Sequence, residues 1–177
     1  MNDQLIVLLQ KKISNCIGPS TGRNMGPSGT IGIARGFLKN LDLDKISKKN
    51  RESFEIAIDE ITYNFQNALP IGGQYWGSCR KFLNIFLRET LYNCYLRERY
   101  NLEIIEPWLE IPLDSHVAKG LHAEQDGNIL PRWNTVIGLS KEDNFKYQQF
   151  AEKLATSKGI SRVHLDLFYW RGDHVTK

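Results

Sequence analysis

Long hydrophobic runs are missing from this 177-residue chain. The apolar run nearest the start, Leu5–Leu9, has five residues. That is too short for a secretory signal or for a membrane span, which needs about 20. Cysteine is scarce. Cys16, Cys79 and Cys94 are odd in number, far apart, and form no C-x-x-C pair. This excludes a disulfide framework and an obvious zinc or iron–sulfur ligand set. A reducing compartment is the expected setting, cytoplasmic or nucleoid and nuclear, and not secreted. The histidines, His116, His122, His164 and His174, include no H-x-x-x-H pair, so no metal is expected. Internal repeats, low-complexity runs, a P-loop and a dinucleotide fingerprint are all absent, and no cofactor is expected. Charge of one sign is also lacking: 23 Lys plus Arg face 20 Asp plus Glu. Such a balance admits a polyanionic partner only where the positive groups cluster.

Bulky apolar groups are plentiful. Eight Phe, seven Tyr and four Trp stand in a chain that is 41% hydrophobic, ample for a packed core and too apolar for disorder. The expected organisation is one compact helical domain, 1–177, with possible lobes 1–66 and 67–177.

The apolar periodicity is mostly helical. Residues 3–16 carry Leu5, Ile6, Leu8, Leu9 and Ile13 at helical spacing. A loop rich in Gly, Pro, Ser and Asn runs from Ile17 to Gly29, and Ser28 is a candidate cap for a helix through Leu38. Residues 42–50 read as a polar turn region, and Glu52–Asn67 as a well-patterned helix. The longest helical pattern, about Ser78–Tyr100, is apolar nearly all round, as a central buried helix would be. Pro107 and Pro112 forbid a regular helix over 101–113. Asp114 then caps a short helix. Ser140 or Asp143 starts another through Ser157, with Phe145, Phe150 and Leu154 inward, and Gly159 breaks it. Ser161–Trp170 reads as a last helix or, alternatively, a strand.

Two segments carry candidate chemistry. Gly77-Ser78-Cys79-Arg80-Lys81 opens the central helix. A helix start offers free N–H groups and a positive dipole end, which suits a phosphate. A lysine one turn inside a buried helix is partly desolvated, which favours the neutral, nucleophilic amine. Read without chemistry, Lys81 is a surface residue with an extended stem. Ile111-Pro112-Leu113-Asp114-Ser115-His116-Val117 places Asp114 at the next helix start, where it serves at least as an N-cap. A third segment, Gly18–Gly36, reads as a turn-forming loop or as a DNA-facing one, with Arg23 and Arg35 meeting phosphates.

Taken together, G-x-x-R-K at one helix start and I-P-L-D-S-H-V-A at the next resemble the helix-hairpin-helix DNA glycosylase superfamily. The 33-residue spacing from Lys81 to Asp114 is nearest its archaeal 8-oxoguanine branch. Cys79 stands where the family hairpin has its second glycine, and Phe82 and Leu83 replace its Thr and Ala. The resemblance covers roughly residues 65–172. It implies a mainly α, two-lobe bundle that binds duplex DNA with one nucleotide flipped out. It implies that Lys81 attacks the sugar C1′ and that Asp114 stabilises the developing positive charge. It assigns Gly77, Ser78 and Arg80 to the DNA backbone. Asp166 and Trp170, four residues apart on one helix face, hold the base, and Trp76 is a further flat side chain for it. Without that resemblance, Asp166 pairs with Arg162, and Trp170 caps the core. The competing function is a non-catalytic helical module that binds nucleic acid or protein.

Overall fold

The computed structural model describes residues 2–47 and 50–169. Trp170 lies outside them. The described chain is mainly helical, and among the described residues there is no β-strand.

Helix α1 (Asp3–Ser14) starts on Asn2, whose side chain accepts the N–H groups of Gln4 and Leu5. Its buried face is Ile6, Gln10 and Ser14, not the expected leucine stripe; Leu5 and Leu8 are exposed. The reason is polar. The Gln10 amide donates to the carbonyls of Leu38 and Leu41, at and just beyond the end of α2 (Thr30–Lys39). Gly29, with φ of 90°, caps α2 in place of Ser28. The expected polar turn over 42–50 contains a short helix, α3 (Leu43–Ser47), because Leu43 and Ile46 share a buried face. Asn50 caps α4 (Arg51–Ala68), which turns Phe54, Ile58, Thr62 and Phe65 inward.

The long central pattern is two helices, α5 (Trp76–Tyr92) and α6 (Cys94–Tyr100). Asn93 separates them. Its backbone is extended and its side chain accepts the Leu96 N–H, so it starts a new helix where the periodicity suggested continuation. Helix α5 is central, and every residue from Gly77 to Asn84 is buried. After two short 3-10 turns the chain runs extended to Asp114. Asp114 caps α7 (Ser115–Ala123), its carboxylate accepting the N–H groups of His116 and Val117. Ser140 caps α8 (Lys141–Ser157). The inward face of α8 is Asn144, Tyr147, Gln148, Ala151 and Ala155; Phe145 points outward. Gly159, with φ of 70°, ends that helix. A 3-10 turn (Arg162–Leu165) then leads into α9 (Asp166–Tyr169), resolving the helix-or-strand ambiguity in favour of helix.

The buried apolar side chains form two clusters. One runs from Ile17 to Leu109 around Phe54, Phe65, Phe82 and Phe86, with Val136 and Val163 added. The other runs from Ile111 to Leu165 around Tyr147. The first cluster draws mostly on residues before 110 and the second on residues after it, with Trp133 packed against both. Helix α5 belongs to the first cluster and packs against α4, α1 and α2.

A polar network sits on that seam. Arg80 donates two hydrogen bonds to Glu110, at 2.8 and 2.9 Å, and one to the Thr62 hydroxyl. Asn84 also donates to Glu110. Burial alone would raise the Glu110 carboxyl. The Arg80 charge and hydrogen bonds outweigh it and hold the carboxyl at about 2.

Candidate active site

An open cleft of about 810 Å³ lies where the two clusters meet. The α1–α2 loop forms one wall, with Thr21, Arg23 and Met25. Helix α5 forms the floor with Lys81, Ile85 and Arg88. Residues 112–116 and 133–137 form the far wall.

Lys81 and Asp114 meet in this cleft. Lys81 Nζ is 3.7 Å from Asp114 Oδ2, and their side chains are 8% and 22% exposed. Nζ also donates to the Thr21 carbonyl. One cap and one buried helix make the geometry. Asp114 spends Oδ1 on the N–H groups of His116 and Val117, which leaves Oδ2 to face the lysine. The lysine is held one turn into a helix packed almost all round. Burial pushes the Lys81 ammonium below its ordinary value; Asp114 pulls the other way without cancelling it. The result is an amine that sheds its proton more readily than a surface lysine, beside a carboxylate fixed by backbone donors.

Of the residues expected to hold a base, Asp166 reaches the cleft. It is buried there and ion-paired with Arg88, not with Arg162. The Arg162 guanidinium instead donates to the carbonyls of Trp108 and Leu109. Trp76 does not line the cleft; it packs on the second cluster and lies under the Arg80 guanidinium, 5.4 Å away.

The residues expected at the DNA backbone lie inside the protein. Gly77, Ser78 and Arg80 are all buried. A Cβ on Gly77 would lie 2.1 Å from the Val136 carbonyl oxygen, so this glycine admits the 133–139 loop rather than a phosphate. Arg80 spends its donors inside the protein, as described above. Arg35 is likewise committed, donating to the Ile17 carbonyl; Arg23 is exposed at the cleft wall.

The chain matched no known protein family, no curated protein and no solved structure. Among the described residues no group of three His, Cys, Asp or Glu is placed to hold a metal ion. None of their helices is long and apolar enough to cross a membrane.

Arg88 and Trp133 escaped the sequence reading as site residues. Arg88 was open to discovery: it lies seven residues after Lys81, two helical turns along the same face. Trp133 sits in a loop that no periodicity governs, so local pattern does not single it out.

Proposed function

We propose that this chain is a lysine-dependent DNA glycosylase with lyase activity, built on a two-lobe bundle of the helix-hairpin-helix glycosylase type. Its substrate is an oxidised or otherwise modified base in duplex DNA. The observation that carries this reading is the meeting of Lys81 and Asp114. They are separated by 33 residues in sequence and lie 3.7 Å apart in an open cleft of about 810 Å³. A buried lysine beside a capped aspartate has little value for stability; it has the geometry of an activated nucleophile.

The target nucleotide is flipped into the cleft, because its C1′ is unreachable inside the duplex. The neutral Lys81 amine bonds to C1′ as the glycosidic bond breaks. The departing base takes the bonding pair and a proton. Asp114 lowers the barrier by facing the positive charge that develops on the sugar. The captured nitrogen gives that proton to the base, and the sugar ring opens as O4′ takes a proton from water, leaving a protonated Schiff base. Elimination from it breaks the strand.

Borohydride trapping on duplexes carrying 8-oxoguanine, uracil or an abasic site tests the reading. Adduct formation is expected to rise with pH as the amine deprotonates, with its midpoint below the 10.5 of an ordinary lysine. Asp114→Asn keeps a side-chain oxygen for the cap. It is expected to slow base release about 10²–10³-fold and to move the midpoint lower still, because the charge that retains the lysine proton is gone. A pH-independent rate would reject Lys81 as the nucleophile.

Burial of Gly77, Ser78 and Arg80 favours a second reading, a helical binding module that does no chemistry. It requires DNA binding or protein binding with no adduct on any of these duplexes.

A further inference from the structure

Trp133 lines the cleft from a segment with no helix of its own, between α7 and α8. Such a stretch would ordinarily be mobile. Here a continuous polar chain holds it. Tyr147, on the buried face of α8, stands against Trp133 at 90° with ring centroids 5.7 Å apart. Its hydroxyl donates to the Pro131 carbonyl at 2.8 Å. Burial pushes the Tyr147 phenol up to about 12, so it keeps the proton it donates. The phenol oxygen is then an acceptor for His122 Nε2, 2.8 Å away, which assigns the ring proton to Nε2. Nδ1 accepts from the Gln125 amide, and the Gln125 oxygen accepts the N–H groups of Ile129 and Leu130. Each donor in this chain meets an acceptor, and the chain ties both flanks of the loop to α7 and α8. Trp133 also packs against both apolar clusters, yet it remains half-buried with access to the cleft.

A mounted aromatic is costly to build where only a loop closure is needed. Among the described cleft-lining residues Trp133 is the single Phe, Tyr or Trp, His116 being the other ring, and Trp76, the flat side chain expected to serve, faces elsewhere. From this geometry we infer that Trp133 is the stacking wall for the extruded base, held ready by the Gln125–His122–Tyr147 chain. The ligand is a flat heteroaromatic ring, and the preformed wall reduces the ordering cost of receiving it. This assignment rests on the base-removal reading and concerns the base rather than the sugar chemistry.

The test separates base from sugar. Two duplexes differ at one position: one carries 2-aminopurine opposite cytosine, the other a tetrahydrofuran with no base. Trp133→Leu is expected to weaken binding of the first by about 5- to 150-fold, the range for losing one base–aromatic stack, and of the second by less than about twofold. Trp133→Phe restores most of the affinity and guards against a folding defect in the leucine variant. Tyr147→Phe, which removes the phenol and keeps the ring, is expected to weaken the base-bearing duplex selectively. Equal losses on both duplexes, or no loss on either, overturn the assignment. Failure of the base-removal reading registers separately, as the absence of Lys81-dependent borohydride trapping on an abasic-site duplex.

Discussion

Lys81→Gln is expected to reduce the borohydride-trapped adduct on an abasic-site duplex to background, while the melting temperature does not fall. The two halves of this result have one cause. The folded protein holds the Lys81 ammonium below its ordinary 10.5 through burial, and Asp114 offsets that only in part. Between the folded value and 10.5 the unfolded chain binds more protons at this residue than the native one. Stability therefore rises with pH across that window, and below it the charged lysine is a liability to the fold. Glutamine removes the charge and keeps most of the stem. Asp114 loses a partner but retains the N–H groups of His116 and Val117. A lysine that only supported the fold would behave oppositely, with a lower melting temperature and unchanged chemistry. Full trapping by the variant would remove Lys81 from the mechanism.

Arg80→Met is expected to destabilise the protein by about 3–5 kcal/mol, because it strips the partner from a buried carboxylate. For a chain of this length that is a fall in melting temperature of about 6–20 °C. Glu110 is 8% exposed and takes its hydrogen bonds from Arg80, Asn84 and Asn144. Without the guanidinium, the Asn84 and Asn144 amides and the more distant Arg162 charge are left to offset its burial. The contrast with a DNA-contact role is sharp. A residue that met a phosphate would leave the melting temperature unchanged and reduce the salt dependence of DNA binding. The wild-type network also sets an acid limit. The folded Glu110 carboxyl lies at about 2, against an ordinary 4.5. Its contribution is complete above the unfolded value and is lost as pH falls from there through about 2. Thermal melts between pH 5 and pH 2 measure it, and Arg80→Met with Glu110→Gln should recover part of the stability that Arg80→Met alone loses.

The same five-residue segment at the start of α5 thus holds two charged groups with opposite duties. Arg80 points toward Glu110 and α4. Its neighbour Lys81, about 100° further round the helix, points into the cleft. Adjacent letters in the sequence say nothing of this division; the angular step between them decides it.

The sequence by itself determined the helical class, the capping role of Asp114 at α7, the breaks at Pro107, Pro112 and Gly159, and the burial of α5. Each follows from local rules: periodicity, cap chemistry and restricted backbone angles act within a few residues. The family resemblance pairs Lys81 with Asp114, and the fold brings the two side chains to 3.7 Å. Other features needed the folded chain. The split at Asn93 depends on a cap that outweighs an unbroken apolar pattern. The inward turn of Gln10 depends on the carbonyls that end α2. The burial of Gly77 and Arg80 depends on the 133–139 loop and on Glu110, thirty residues beyond Arg80. Which cations reach solvent, and which ring lines the cleft, are set by contacts between segments distant in sequence. Local pattern carries no record of those contacts, so only tertiary packing settles them.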